Sequence, residues 1–287
     1  MNGLGVVCVV GAGQIGTSIG MALRGSAAAV ADEVLLWDVD PARRARCLVL
    51  GGADRGLVDA EEVLAADVIV LAIPVSEVVR WVETWGGQVS PDTLVVDTGS
   101  AKQAVVAAMR SHLRAGTHGI GGHPVCGNEG RGPDAGDPEM LKGAVFVLTP
   151  LADDATALER ARALVDALGS QPVVLDAARH DEILAVSSHL PHLVAAALVE
   201  LVPDAGPETE LWRRLLGPGF SGATRLAASD PEMVASFLAA NAGPLRQAVG
   251  ELQRALREWE AEVASPRSLA ARLERASSRR AALLGDC

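Results

Sequence analysis

The 287-residue chain has no tyrosine and only two lysines, Lys102 and Lys142, so the other 23 of its 25 basic residues are arginine. A mechanism in which a tyrosine phenol backed by a lysine moves the proton is therefore excluded. Its four cysteines, Cys8, Cys47, Cys126 and Cys287, are too scattered for a disulfide framework in a chain of this size, which points to a reducing compartment, the cytoplasm. There is no block of like charges, and a net charge of −11 would repel the phosphates of a nucleic acid. An anionic small molecule would need arginines placed locally. No stretch reaches membrane-spanning length without glycine, proline or charge, so no membrane partner is expected. The apolar N-terminal run lacks basic residues before it and flows into a glycine loop, which makes it a strand rather than a signal peptide. Apolar residues are abundant, and at 49% they suffice for one large core or two medium ones.

A β-branched run over residues 5–10 ends in GAGQIG, Gly11, Ala12, Gly13, Gln14, Ile15 and Gly16, and a helical pattern follows over 17–24. Gly11 permits a tight turn, Gly13 a close approach of a pyrophosphate, and Gly16 close packing of helix on strand, with the phosphates at the helix N-terminus. The next strand, 34–37, ends in Asp38, 22 residues past Gly16, where an acid can accept hydrogen bonds from an adenosine ribose. The bland alternative is a structural glycine turn with a solvated Asp38. A 2′-phosphate would be repelled by Asp38, so the cofactor expected is NAD, although Arg43 and Arg44 keep NADP in play.

Alternation continues with a helix over 41–50, a strand over 67–72, a helix over 77–85 and a strand over 94–97. In an open parallel sheet, ligands bind beyond the carboxyl ends of the strands. Ile73, Pro74, Thr98 and Gly99 are thus expected to line the nicotinamide half. Ser100 reads equally as the cap of a helix starting at Ala101 or as a substrate contact. Residues 121–130, GGHPVCGNEG, place His123 on a loop too glycine-rich for helix or sheet, with Pro124 fixing its own φ and Gly121, Gly122, Gly127 and Gly130 admitting unusual backbone angles. Strands over 144–148 and 172–175 flank a helix over 153–169. After Asp176 only helical periodicity remains, over 181–202, 208–215, 231–239 and 245–264. The expected fold is a Rossmann-type α/β nucleotide domain, 1–176, followed by an all-helical domain, 177–287. Within the first helix of the latter, SSHLPH puts His189 and His192 three apart on one face, with Pro191 breaking the turn between them.

A nucleotide domain joined to a helical one suggests an oxidoreductase. The β-hydroxyacid dehydrogenases share that plan but use a catalytic lysine near an asparagine on a helix, a pairing neither lysine here offers. Histidine, with an ordinary pKa of about 6.5, is left to take a proton near neutral pH. Of the six histidines, His112, His118 and His180 stand in polar or terminal contexts and read as ordinary, which leaves His123, His189 and His192. Those three with Cys126 could in principle ligate zinc, but their spacing matches no ligand signature and hydride transfer needs no metal, so none is expected. Cys126 could also act as a nucleophile beside His123; a buried small thiol is the commoner outcome.

GAGQIGTSIG, the run Asp97, Thr98, Gly99, Ser100, then GGHPVCGNEGRG, LKGAVFVLTP, HDEILAVSSHLPH and ATRLAASDP follow one another in an order and spacing that resemble the prephenate/arogenate dehydrogenase family of tyrosine biosynthesis. The resemblance covers residues 6–233. It implies hydride transfer from C4 of a cyclohexadienol to NAD(P), with loss of the ring carboxylate as carbon dioxide. By position, His123 would accept the proton of the 4-hydroxyl with Ser100 assisting, and Arg225 would bind a carboxylate of the dicarboxylate substrate. Glu129, His189 and His192 would line the pocket, with Gly127 and Asn128 beside them. The resemblance also implies a homodimer formed through apolar helices. Cys126 and Asn128 stand where the family more often has alanine and threonine, and Gly130, Arg131 and Gly132 replace a basic, serine, glycine run. These positions surround the substrate's side chain, so prephenate, arogenate and an amino-substituted prephenate of a specialised pathway all remain open. No regulatory domain or fused mutase is expected, so any feedback inhibition would act at the catalytic site. A non-catalytic NAD-binding regulator also fits the glycine fingerprint, but it leaves His123, the His189/His192 pair and Arg225 without a purpose.

Overall fold

The computed structural model describes residues 3–26, 30–127, 130–151, 154–204 and 206–285. In chain order the first part comprises β1 (Val6–Val10), α1 (Gln14–Gly25), β2 (Glu33–Trp37), α2 (Pro41–Val49), β3 (Arg55–Gly56), β4 (Val68–Leu71), α3 (Val75–Trp85), β5 (Leu94–Asp97) and α4 (Gln103–His112). It continues with β6 (His118–Pro124), β7 (Val145–Pro150), α5 (Ala155–Ala167) and β8 (Gln171–Val174). These strands form one sheet in the order β3-β2-β1-β4-β5-β6-β7-β8, parallel throughout except where β6 meets β7. The central strands read VVCVV, VIVL and LVVD because both of their faces are covered. Alternate residues feed two layers. Val7, Val9, Val68, Val70 and Val96 pack with α1 and α5, while Cys8, Val10, Ile69, Leu71 and Val95 pack with α3 and α4.

Helices follow: α6 (Ala177–Leu184), α7 (Leu190–Glu200), α8 (Pro207–Leu215), α9 (Pro218–Thr224), α10 (Pro231–Ala240), α11 (Ala242–Glu262) and α12 (Pro266–Leu284). Pro191 does not break the first of these runs. One π turn, Ala185–His189, joins α6 to α7, with the Leu190 amide donating to the Ala185 carbonyl, and this wider turn accommodates the proline ring and its missing N–H. The short α9 and the long α12 had no counterpart in the periodicity, α9 because its PGFSGAT reads as a turn and α12 because it is charged nearly all round. Two compact units result, Met1–Ala242 and Gly243–Cys287. Within the second, Arg272 lies 4.5 Å from the Trp259 ring centroid and pairs with Glu258 and Glu262, each at 2.8 Å.

Two local expectations are corrected. His123 lies on β6, paired opposite Val147 of β7, and not on a loop. The glycines before it serve close packing: a Cβ on Gly121 would stand 2.1 Å from Thr149 Oγ1 and one on Gly122 2.4 Å from the Asp97 carbonyl oxygen. Gly127 does take a positive φ, 115°. Nor does Ser100 cap a helix. α4 starts at Gln103, and its first amides are capped from a distance by Asp181, whose carboxylate accepts from Lys102 N at 2.7 Å and Gln103 N at 2.9 Å.

Beneath β6 lies a fully buried ion pair between Lys102 and Asp97. Lys102 Nζ also donates to the Gly122 carbonyl at 2.6 Å, and Asp97 accepts from Gly122 N at 3.0 Å and Gly99 N at 2.8 Å. The pair therefore grips the peptide immediately before His123. Burial pulls the Lys102 ammonium below its ordinary pKa, against the opposing pull of Asp97. Lys102→Ala strands a carboxylate and a carbonyl in the core, and we expect it to lower the unfolding free energy by about 3–5 kcal/mol in urea titrations. A loss below about 1 kcal/mol would show that the pair does not hold the strand.

Candidate active site

At the end of β1 the chain turns through Gly11, φ 107°, where a Cβ would lie 2.3 Å from the Ala72 carbonyl oxygen. A Cβ on Gly16 would meet the Gly11 oxygen at 1.9 Å, so α1 can start this close to β1 only with glycine there. At Gly13, which caps α1, nothing lies within 4 Å of the Cβ direction. Open space before a helix N-terminus with no acid in its first turn suits a pyrophosphate. Asp38, buried at the end of β2, accepts from Ala12 N at 2.7 Å and Asp40 N at 2.8 Å. The two arginines that could favour a 2′-phosphate are engaged locally: Arg44 donates to the Asp38 carbonyl at 2.7 Å, and Arg43 pairs with Asp40 at 3.5 Å. Ile73 and Pro74 follow β4, and Thr98 and Gly99 follow β5, all at the carboxyl edge of the parallel strands. Gln14 and Ile15 open α1, and Gln14 reaches the Ala135 carbonyl at 3.2 Å.

Across that edge stands His123, only 8% exposed at the end of β6. Its Nδ1 lies 2.9 Å from His180 Nε2, and His180 Nδ1 lies 2.8 Å from Asp181 Oδ1. His180 and Asp181 are fully buried. Burial pushes the Asp181 carboxyl up, but the hydrogen bonds from His180, Gln103 and Lys102 outweigh this and hold it below the ordinary carboxylate range. An ionised Asp181 only accepts, so His180 carries its proton on Nδ1 and offers Nε2 as an acceptor. His123 must then donate from Nδ1, which leaves the lone pair on its Nε2. Burial first, then the neighbouring His180, Lys102 and His189, push His123 well below the ordinary histidine pKa. The arrangement is a neutral imidazole with one nitrogen steered into place and the other free to accept a proton.

His189, inside the π turn, is also fully buried. Its ring stacks on Phe237 at 4.8 Å, and His192 meets the same phenyl edge-on at 5.3 Å. Asn241 Nδ2 donates to the Asp181 carbonyl at 2.8 Å and to His189 Nδ1 at 2.9 Å, so the remaining His189 proton is on Nε2. That nitrogen has no partner in hydrogen-bonding geometry among the described residues, although the backbone of Ser100 lies close enough to favour its charged form. A buried donor without an acceptor fits a polar group brought by a ligand. His192 Nδ1 donates to the Ser188 carbonyl at 2.9 Å. Arg225 opens an exposed 3₁₀ turn, Arg225–Ala228, which packs against α7, the helix that carries His192. Gly127 abuts Gln14, whose Oε1 a Cβ on Gly127 would approach to 3.2 Å. Asn128 and Glu129 lie outside the described residues.

His180 had read as ordinary and is instead the second member of the chain from His123. Asp181, Phe237 and Asn241 had no signal of their own. Only the helical spacing of His180 with Leu184, both inward on α6, could have suggested a buried histidine. Burial raises the Cys126 thiol to about 11, which leaves it a poor nucleophile. Among the described residues, no three His, Cys, Asp or Glu side chains are gathered as metal ligands would be.

A family model described as prephenate dehydrogenase, nucleotide-binding domain, matches residues 19–174, and one described as prephenate dehydrogenase, dimerization domain, matches residues 176–273. The cyclohexadienyl dehydrogenase of Zymomonas mobilis is 30% identical over 267 residues, which span 90% of this chain and 88% of that one. The prephenate dehydrogenase of Lactococcus lactis is 30% identical over 245 residues, 82% of this chain and 64% of that one. Among solved structures, prephenate dehydrogenase from A. aeolicus, in complex with hydroxyphenyl propionate and NAD+, superposes with a TM-score of 0.88 at 26% identity, covering 97% of this chain and 98% of that one.

Buried neutral histidines make stability depend on pH with a defined sign. The unfolded chain takes up their protons near pH 6.5, whereas His189 resists until about pH 4 and His123 is also depressed. Stability should therefore be full above pH 6.5 and fall as pH drops toward about 4, with up to about 1.4 kcal/mol lost per pH unit for each histidine. Denaturant midpoints measured across that range check it. His189→Phe should flatten the slope, and an unchanged slope would mean that His189 titrates normally.

Proposed function

This chain belongs to the prephenate dehydrogenase family and is an NAD-dependent prephenate/arogenate dehydrogenase, and from that premise we propose that His123 accepts the proton of the substrate's ring alcohol. The observation that carries the proposal is the buried chain from His123 through His180 to Asp181. Oxidising an alcohol requires its proton to leave as hydride departs from the same carbon, so the acceptor must be neutral and within hydrogen-bond reach. Asp181 fixes the tautomer of His180, His180 fixes that of His123, and the lone pair on His123 Nε2 faces the alcohol. When the proton arrives, the imidazolium is stabilised through His180 by the Asp181 carboxylate. Loss of the ring carboxylate as carbon dioxide then leaves an aromatic ring. NAD, when bound, supplies the acceptor for the hydride. Gly11, Ala12, Gly13, Gln14, Ile15 and Gly16 would hold its pyrophosphate and Asp38 its ribose, with Ile73, Pro74, Thr98 and Gly99 beside the nicotinamide.

We assign Ser100 to the same hydroxyl, Arg225 to a substrate carboxylate, and Gly127, Asn128, Glu129, His189 and His192 to the pocket wall. For His189 the unpaired Nε2 supports a donor role toward a substrate oxygen. A dianionic substrate in a protein of net charge −11 needs a fixed guanidinium, because the overall field opposes it. We put the functional boundary at residue 176, after the last strand, with the cofactor contacts, His123 and Ser100 before it and His189, His192, Arg225 and the dimer contacts after it. The dimerization domain implies a homodimer. We assign its interface to the helical run Ala177–Glu200, whose most apolar 18-residue stretch has a mean hydropathy of 1.5 and which leaves Ile183, Val186, Leu193 and Val199 exposed. By length and composition alone that run could cross a membrane, but it carries the buried His180, Asp181 and His189 on its inner face. We place the enzyme in the cytoplasm.

Reduction of NAD on incubation with prephenate, arogenate or 4-amino-4-deoxyprephenate tests the assignment, and the ratio of kcat/KM values names the substrate. Absence of reduced nicotinamide with all three would overturn it. His123→Asn is expected to lower kcat by about 10² to 10⁴ with a smaller effect on KM; an unchanged kcat would move the proton transfer elsewhere. Arg225→Ala should act mainly by raising KM, and a KM like that of the parent enzyme would remove Arg225 from the carboxylate.

A further inference from the structure

We propose that Arg131 is a positioning residue that couples cofactor binding to substrate binding; the proposal rests on the dehydrogenase reading above. Residues 130–141 leave β6 and cross α1 before the chain reaches β7. Toward their far end they are held to α1, the helix that the nucleotide fingerprint opens, and to α2. Gln14 Nε2 donates to the Ala135 carbonyl at 3.2 Å, Asp137 N donates to Ser18 Oγ at 2.9 Å, and Arg46 Nε donates to Asp134 Oδ1 at 2.8 Å. Gly136 sits so close to α1 that a Cβ there would be 2.7 Å from Thr17 Cγ2. At the near end Arg131 alone makes three contacts: Nη2 with the Ala228 carbonyl at 3.3 Å and the Ser229 carbonyl at 3.0 Å, and Nη1 with Asp230 Oδ2 at 3.4 Å.

Those three acceptors are strategically placed. Ala228 closes the turn that Arg225 opens. Asp230 caps α10, accepting from Glu232 N and Met233 N at 3.0 Å each. α10 carries Phe237, which backs His189 and His192, and its C-cap, Asn241, sets the His189 tautomer. One guanidinium thus joins a segment fixed to the cofactor helix with the turn and the helix that present the substrate residues. The side chain is 54% exposed and each contact is weak on its own, so the link adds little to global stability. Its effect is to make the position of the Arg225 turn depend on the position of the Gly11 to Gly16 loop. Ordering that loop with NAD would order the turn, and by reciprocity a substrate held by Arg225 would tighten NAD.

Two measurements test this on the intact protein, using Arg131→Ala and Arg131→Lys. In calorimetry, NADH should tighten prephenate binding to the parent chain by about fivefold or more. In Arg131→Ala that ratio should fall to about one, whatever the affinity for prephenate without cofactor, and Arg131→Lys should restore part of it. In hydrogen exchange without substrate, NAD should slow residues 225–230 of the parent chain but not of Arg131→Ala. A parent ratio of one, or a ratio preserved in Arg131→Ala, overturns the proposal. So does an equal loss of prephenate affinity with and without NADH, which would make Arg131 a direct substrate contact. Because the exchange experiment needs no substrate, a chain that fails to turn over but keeps its Arg131-dependent response to NAD separates failure of the substrate assignment from failure of the coupling.

Discussion

The Asp181 carboxylate is the constraint on which the site rests. One of its oxygens accepts from Lys102 N and from His180, the other from Gln103 N, and the residue's own carbonyl accepts from Asn241. The first two amides belong to the N-terminus of α4, where the helix dipole favours a negative charge. A single ionised group therefore caps a helix of the sheet layer, attaches α6 to it, and sets the proton positions along His180 and His123. Asn241 extends the same logic to His189. If Asp181 were neutral, its carboxyl could donate as well as accept, and the tautomers of His180 and His123 would no longer be fixed.

The buried charges divide into two kinds of work. Lys102 and Asp97 neutralise one another in the core and spend their remaining valences on Gly99 and Gly122, so they fix backbone. Asp181 makes no side-chain ion pair with a lysine or arginine among the described residues; it accepts from two amides and an imidazole, and the Lys102 ammonium acts on it only through space. That difference suits a site in which a proton arrives and leaves. A strong cation beside Asp181 would quench its influence on His180, whereas dipoles leave the carboxylate able to stabilise a positive imidazole. Burial of His123 and His189 favours their uncharged forms, as a proton acceptor near neutral pH requires.

The nucleotide half was legible in the sequence because its demands are local. GAGQIG, the following helix and Asp38 each sit at a fixed offset, and the VIVL and LVVD runs announce strands buried on both faces. His123, His189 and Arg225 stood out because glycine or proline accompanies them, and the structure buries the two histidines and leaves Arg225 exposed. What was not legible depends on contacts distant along the chain. His180 lies between arginine and two acids, so its context reads as solvent-facing, and only the packing of α6 on α4 turns it inward. Ser100 looked like a cap because serine commonly is one, but Asp181, far along the chain, takes that task. The glycines around His123 seemed to mark a loop because glycine tolerates many angles; here they are needed because a neighbouring strand and the buried lysine press against both sides of an ordinary extended strand.

The antiparallel meeting of β6 and β7 has an evolutionary side. A parallel neighbour would require a crossover helix packed on the sheet, and such a helix is bound to the core by every residue it buries. An antiparallel neighbour frees the connection from that duty. Pro133 and Leu141 of this connection are buried, but its exposed positions can be rewritten with little penalty to the fold. The connection follows His123 closely and carries Cys126, Gly130, Arg131 and Gly132, positions at which this chain departs from the family pattern. Reversing one strand has thus set aside a stretch of chain in which substrate preference can diversify while the reaction stays the same.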